Sequence, residues 1–245
     1  MVPEFIGKIT LNPKPSFSGL LTEGNVGAIP YYTTRHDAVS VPDSTGRDIM
    51  IFWKFPDANS EDIWFYPKIS VYNPDSMSVS PAMEIYRRNN KVLSVLPVGY
   101  CFALGNCVQS TSIYGIRSWD SKGKLIFDSG NLSLKINSIS IVSYDYNQAN
   151  DYVIPLAANA AVLVPDAFFN QSISVGDAPG YPGSGNSQFY INNGCIRRNG
   201  DRFSVYMANV AAYFYKGAEY DRDDSSRSGN GSDLSMPVIN ATLYD

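Results

Sequence analysis

The chain has 245 residues, of which 44% are hydrophobic and 17% are charged, so we expect one large or two smaller folded domains rather than a disordered chain. Its formal net charge is −4 and its longest basic runs are pairs of Arg residues, which argues against a nucleic-acid-binding or membrane-surface protein. The first residues lack a basic segment followed by an apolar one, so no signal peptide is expected. The long weakly polar run 152–169 is broken by Pro, Asn and Asp, and we do not expect it to span a membrane.

Short segments rich in β-branched and aromatic residues recur along the chain, separated by clusters of Gly, Pro, Asn, Asp and Ser. This pattern predicts strands, and no long stretch shows the sustained apolar spacing of a helix. The predicted strands are, in chain order, 8–11, 48–54, 63–72, 83–87, 92–95, 100–103, 113–118, 124–128, 133–146, 153–155, 160–164, 187–192, 195–198, 203–215 and 237–243. We predict an all-β, antiparallel, β-sandwich-like fold, because parallel strands need long crossover connections that are usually helical.

Four turn signals join neighbouring predicted strands. Asn89-Asn90 lies between strands 83–87 and 92–95, and residues 120–123 join strand 113–118 to strand 124–128. Two Asn-Gly dipeptides follow, in the segments 192–194 and 198–201, and Asn-Gly is the strongest short-range hairpin signal. Together they predict an antiparallel meander from residue 187 to residue 215.

Loops and a domain boundary are predicted from local composition. Residues 176–185 are rich in Gly and Pro, and residues 221–233 are polar throughout, so both are predicted to be loops. A new hairpin begins just after residue 110. We therefore predict an N-terminal β-rich domain over 1–110 and a C-terminal β-sandwich-like domain over 111–245.

The chain has three cysteines, Cys101, Cys107 and Cys195. A secreted disulfide scaffold would use more of them and in an even number, so buried reduced thiols are expected. Cys101 and Cys107 are six residues apart, and a bridge that closes a small loop between them stays open as an alternative.

The sequence offers no recognisable catalytic centre. His36 is the only histidine and is predicted to lie on the surface or in a turn, and no Ser or Cys stands in a nucleophile motif. One histidine also argues against the usual metal sites, and no Gly-rich phosphate loop is present, so we expect neither a metal nor a cofactor. The carboxylates that could pair in glycoside cleavage have no spacing that brings two together; they include Glu61, Asp62, Glu84 and Asp128. We therefore expect that the chain is not an enzyme.

An aromatic-rich segment supplies the candidate contact residues, which are Trp53, Trp64 and Tyr66. Alternate residues of a strand face opposite sides, so Ile63 and Phe65 are expected to face one way and Trp64 and Tyr66 the other. One of these sets is core. The other forms either a second buried face or a surface that contacts a sugar or a protein partner.

Residues 114–129 read YGIRSWDSKGKLIFDS. This stretch resembles a hairpin of small tail proteins of tailed bacteriophages, in which an aromatic-Gly-aliphatic segment and a Gly-containing turn precede an apolar-Phe-Asp-Ser segment. The resemblance implies a β-rich virion component of the tail tip or its fibres. It transfers no functional residues, because the shared ones are architectural: Gly115 and Gly123 serve the backbone, and Ile116 and Phe127 are expected to pack inside.

The predicted function is that of a phage tail structural protein at the distal tip, assembled in the host cytoplasm and present in the virion. Its expected partners are other tail proteins and copies of itself, with a host receptor or glycan at the cell surface, and without nucleic acid or membrane insertion. Two alternatives stay open. A groove with exposed parallel Trp and Tyr rings would favour a carbohydrate-binding β-sandwich module, and two carboxylates about 5 to 9 Å apart in a cleft would favour a glycan hydrolase.

Overall fold

The computed structural model describes residues 2–17, 32–42, 46–58, 63–69, 71–72, 80–87, 93–105, 107–143, 150–154, 157–164, 172–177, 186–216 and 234–245. Within these residues the chain forms strands and two short 3-10 helices, Ala157–Asn159 and Ala241–Leu243, and no α-helix. The strands are β1 (Glu4–Leu11), β2 (Ser16–Phe17), β3 (Tyr32–Ser40), β4 (Ile49–Lys54), β5 (Ile63–Pro67), β6 (Val71–Tyr72), β7 (Ala82–Arg87), β8 (Val98–Ala103), β9 (Arg117–Trp119), β10 (Leu125–Asp128), β11 (Ile136–Val142), β12 (Asn150–Val153), β13 (Ala160–Val162), β14 (Ser172–Asp177), β15 (Asn186–Asn199), β16 (Arg202–Lys216) and β17 (Leu234–Asn240).

Most strands join one antiparallel sheet, whose main path has twelve strands and is nearly closed into a barrel. The order is β11-β17-β13-β4-β8-β1-β3-β7-β5-β15-β16-β12, and β2, β6 and β14 are attached to β3, β4 and β15. Strands β9 and β10 form a separate two-stranded sheet. The predicted all-β, antiparallel fold is confirmed.

Strands from both sides of residue 110 are neighbours in the large sheet. Trp53 of β4 pairs with Val162 of β13, and Phe65 of β5 pairs with Ile196 of β15. The division of the chain into residues 1–110 and 111–245 stays a prediction.

In the large sheet, the register between β1 and β3 shifts between Thr10 and Leu11. The half of the sheet that contains β4 packs against the half that contains β5. Ile51 of β4 and Phe65 of β5 are fully buried members of one apolar cluster. This inner core is the main source of hydrophobic stabilisation, because each large side chain buried there contributes roughly 1.5–3 kcal/mol.

A second apolar cluster covers the outer face of the β4 half. Alternate residues of β4 and β8 point outward, and Phe52 and Phe102 pack there with their ring centres 5.4 Å apart. Tyr244 closes the cluster, with its ring centre 4.9 Å from that of Phe102. The neighbouring Asp245 accepts a hydrogen bond from Lys8 Nζ of β1 at 2.8 Å, so the two ends of the described chain are held together.

The prediction of a turn at residues 192–194 is wrong. Strand β15 runs without a break from Asn186 to Asn199, and a register shift between Ile191 and Asn192 absorbs the irregularity. Strand β15 is paired with β14 on one side and β16 on the other, and these two ladders outweigh the local turn preference of Asn-Gly. The turn predicted at 198–201 is confirmed, because β15 and β16 meet there and Gly200 has a φ of 60°.

Several other strand predictions need correction. Residues 93–95 are not a strand, and both edges of β7 are occupied by β3 and β5, so the predicted partner of β7 is wrong. The polar strand β3 and the short strands β2 and β14 were not predicted, and the segment 113–116 precedes β9 without being part of it. Strand β14 extends to Asp177, into the predicted loop 176–185. The turn at Asn89-Asn90 and the loop 221–233 lie outside the described residues.

No helix within the described residues is long and apolar enough to cross a membrane.

Candidate functional site

The hairpin formed by β9 and β10 is the centre of an arm, defined here as residues 110–131. Its turn is closed by the amide of Gly123, which donates to the carbonyl of Asp120 at 3.1 Å, and the Asp120 carboxylate accepts from the amides of Lys122 and Lys124. The turn predicted at residues 120–123 is present, and Gly123 has a φ of 78° in it. Local backbone geometry therefore forms the hairpin turn, because this φ lies in the left-handed region that favours glycine.

A single carboxylate holds the base of the arm together. Asp128 is almost fully buried and accepts hydrogen bonds from Arg117 Nε at 2.9 Å, from the amide and hydroxyl of Ser110, and from the amide of Gly130. The Arg117 hydrogen bond is the main reason that the pKa of Asp128 is held well below its usual range, and the two backbone amides act in the same direction. Asp128 is therefore ionised at neutral pH and ties the beginning of the arm, at Ser110, to its end, at Gly130.

The arm presents large apolar side chains to solvent. Ile113 is 84% exposed, Tyr114 82%, Ile116 72% and Trp119 53%. The expectation that Ile116 packs inside is wrong, and Phe127 is also partly exposed. Apolar residues scattered singly on a surface are ordinary, but a concentration of this kind within a few residues of chain makes the arm a candidate interaction site.

A groove of about 340 Å³ lies at the foot of the arm. Its apolar lining comes from Phe127, Leu132, Leu243 and Tyr244. The hydroxyl of Tyr244 accepts from the amide of Lys135 at 2.9 Å and donates to the carbonyl of Ser133 at 3.0 Å, so the floor of the groove is held rigidly. The groove gives an apolar side chain of a partner a place to insert beside the arm.

Strand β11 continues the exposed apolar surface beyond the groove. Ile139 and Ile141 are 58% and 57% exposed, whereas Ser138 and Ser140 of the same strand face inward. The buried hydroxyl of Ser138 has no hydrogen-bond partner within the described part of the chain. This pattern inverts that of an ordinary half-buried strand, which turns its apolar residues inward, and it adds β11 to the candidate site.

The predicted contact aromatics lie inside the protein. Trp53 is fully buried in the inner core. Ile63 and Phe65 face the same core, as predicted, and Trp64 and Tyr66 belong to a second buried face. That face is packed by aromatic and cationic groups: the Arg197 guanidinium lies 4.3 Å from the Trp64 ring centre, and Tyr66 stacks on Tyr86. Burial, followed by the charge of Glu84, raises the pKa of Tyr66 to about 12.

His36 is buried in β3, so the prediction of a surface or turn position is wrong. Its Nδ1 donates to the carbonyl of Asn12 at 2.7 Å. His36, Thr34 and Arg87 line a second cleft of about 300 Å³, whose other walls are mainly apolar. No Phe, Tyr or Trp side chain is among the described residues that line it.

The carboxylates considered for glycoside cleavage are found in structural contacts or outside the described residues. Glu84 accepts from Lys68 Nζ at 2.9 Å and from the Tyr86 hydroxyl, and Asp128 holds the arm. Glu61 and Asp62 lie outside the described residues.

The cysteines are not bridged to one another. Cys101 and Cys195 are buried, as predicted, whereas Cys107 is partly exposed and its Sγ accepts from the Asn131 side-chain amide at 3.3 Å. The alternative of a Cys101–Cys107 disulfide is therefore wrong. Burial raises the pKa of the Cys101 thiol to about 12.

The exposed residues of the arm and of β11 were missed as candidates from the sequence. The alternation of Ile and Ser in β11 was the only available signal, and it does not tell which set faces inward. Comparisons of the chain with protein-family models, with curated proteins and with solved structures gave no match.

Proposed function

We propose that this chain is a structural subunit of a phage tail, at its distal tip, and that the arm docks it against neighbouring tail subunits. Those neighbours are other tail proteins and copies of the chain itself, and the assembled tip contacts the host surface. In this proposal the chain is made and assembled in the host cytoplasm and is then carried in the virion.

The observation that carries the proposal is the exposure of four large apolar side chains on the arm, namely Ile113, Tyr114, Ile116 and Trp119. A monomer gains nothing from holding such residues in water, whereas a subunit buries them on assembly. The same arm carries the sequence resemblance to phage tail proteins, over residues 114–129.

The free energy gained by burying these four side chains suits a subunit that makes several contacts at once. Fully burying one large apolar side chain contributes roughly 1.5–3 kcal/mol, so the exposed parts of these four supply on the order of 4–9 kcal/mol. Association itself costs about 4–15 kcal/mol. The arm alone therefore barely offsets the cost, and a stable contact also needs the groove or a second surface.

The test is incorporation into particles. We expect the double variant Ile116→Ser, Trp119→Ser to fold with an unchanged melting temperature, since both side chains are exposed, and to be present at a reduced copy number in purified phage particles. Val39→Ser is the matched control, because Val39 is 64% exposed and lies on β3, outside the arm. Quantitative mass spectrometry of the particles gives the copy number. Absence of the wild-type chain from particles, or full incorporation of the double variant, would contradict the proposal.

A further inference from the structure

Strand β11 ends the main path of the sheet, and among the described residues it pairs only with β17. Ile139 lies opposite Pro237 in this ladder. The carbonyl of Pro237 accepts from the amide of Leu163 beside β13, so Pro237 directs its one backbone hydrogen-bonding group away from β11. Ile139 and Pro237 are therefore a non-hydrogen-bonded pair, and Ile139 directs its own N–H and C=O to the outer edge.

The same alternation applies to Ile141 and Ser143, two and four residues further on. The Ser143 amide and carbonyl bind the Tyr152 hydroxyl, at 2.6 Å in both cases, rather than β17. Tyr152 thereby closes the edge at Ser143. Ile139 and Ile141 remain as residues whose backbone groups and side chains both face outward from the edge.

From Ser138 to Val142 the edge lacks the features that usually prevent strand addition. Proteins blunt exposed edges with charged residues, Pro or bulges, yet residues 136–142 read INSISIV and contain neither charge nor Pro. A bulge near Asn137 limits the regular edge at its start. The regular part, from Ser138 to Val142, is neutral and bears two exposed Ile side chains.

We propose that β11 pairs antiparallel with β11 of a second copy of this chain. The inference rests on the proposed function and names one of the partners it requires. In the pairing, Ile139 faces Ile141 of the second copy and Ile141 faces Ile139, and each pair exchanges both backbone hydrogen bonds. Ser140 lies on the twofold axis, opposite Ser140 of the second copy.

Two considerations select this register and this occupant. Residues whose backbone N–H and C=O groups point to the outer edge must pair with residues of the same kind in the second copy. This register does so with two Ile–Ile pairs and does not include the bulge at Asn137. A twofold interface also places each charge against its own copy, which penalises charged edges. The edge is neutral, and Ile139 and Ile141 lie one residue before and one residue after its centre at Ser140. Such an edge is complementary to a second copy of itself.

The first experiment crosslinks the twofold axis. In a Cys107→Ser background, which removes the one partly exposed native thiol, Ser140→Cys is treated with oxidised glutathione. Ser140 and its counterpart form a non-hydrogen-bonded pair, whose Cα atoms are about 4.5 Å apart and within disulfide reach. We expect a reducible dimer that forms on the order of tenfold faster or more than in the control, because the paired sulfurs are held in place.

Ser235→Cys in the same background is the control. Ser235 is exposed on β17, opposite Ile141, so it lies one strand further from the axis. Its counterpart is then three strand spacings away, about 14 Å, beyond disulfide reach. Equal crosslinking of the two variants, or none in Ser140→Cys, would overturn the proposed pairing.

The second experiment measures association without crosslinking. Sedimentation should show a dimer for the wild type and for Val39→Lys, and loss of the dimer for Ile139→Lys with an unchanged melting temperature, because the Lys lies at an exposed position. A wild-type monomer, or a dimer that survives Ile139→Lys, would overturn the inference. If such a monomer still enters particles and needs the arm to do so, the proposed function stands while the β11 pairing fails, so the two failures are distinguishable.

Discussion

Replacing Gly123 with Val tests whether the arm depends on its turn. Gly123 has a φ of 78°, and a Cβ placed there meets no atom within 4 Å. The cost is therefore confined to the backbone, where a β-branched residue in the left-handed region loses about 1–3 kcal/mol. Because the arm is a separate two-stranded sheet, we expect this loss to appear as local opening of the arm rather than as unfolding of the large sheet.

Amide hydrogen exchange measures this opening residue by residue. The amide of Asp120 donates to Lys124 and the amide of Ser129 donates to Ile116, both at 2.9 Å. In Gly123→Val these two amides should exchange roughly 5- to 150-fold faster, which is 1–3 kcal/mol expressed as a ratio. Amides of β4 and β8 should exchange as in the wild type.

Gly123→Asn separates backbone strain from the mere presence of a side chain. Asn enters the left-handed region more readily than Val, so its effect should be clearly smaller. Equal exchange in the Val and Asn variants, or no change in either, would refute the argument that a positive φ at this residue holds the arm.

Three further predictions concern titratable groups. The pKa of Asp128 is depressed, so its stabilisation of the arm is present above the unfolded pKa near 4 and is lost as the pH falls toward the folded pKa. Opening of the arm, measured by hydrogen exchange and corrected for intrinsic exchange rates, should therefore increase below about pH 4. Asp128→Asn should remove this pH dependence. His36→Ala should lower the free energy of unfolding by about 1–3 kcal/mol in denaturant titrations, since it removes a buried side chain together with its hydrogen bond to the Asn12 carbonyl. The half-exposed ion pair removed by Arg35→Ala should cost less than about 1 kcal/mol. A thiol reagent should label Cys107 in the folded protein and Cys101 only after unfolding, as read by mass spectrometry, and early labelling of Cys101 would contradict its burial.

The sequence was most informative where local pattern and burial agree. Strands β4 and β5 are compact runs of apolar residues, and the alternation of Ile63 and Phe65 against Trp64 and Tyr66 followed from strand geometry alone. Strand β3 contains Thr, Arg, His and Asp, and its pairing with β7 rather than its composition makes it a strand. Such tertiary pairing cannot be inferred from a single segment.

Only part of the candidate site could be predicted from the sequence, because the exposure of its side chains also depends on tertiary pairing. The turn at Gly123 is determined by nearby residues and was predicted. Whether Ile116 or Ile139 is exposed depends instead on which distant strand covers it, and for β11 this is decided by the pairing of Ser138 with Val238. Periodicity identifies the two faces of a strand but does not assign them to core and solvent.

The pairing order of the large sheet has a consequence for how fast the chain folds. Neighbouring strands such as β1 and β8, or β4 and β13, are far apart in sequence, and the contact between Lys8 and Asp245 spans 237 residues. Each such pairing costs the entropy of closing a long loop before its stabilising contacts form, so we expect the protein to fold slowly, as other β topologies with non-local pairing do. During that delay the uncharged strand β11 is exposed without its partner β17. High concentrations of newly made chain should therefore favour aggregation through this segment unless folding is assisted.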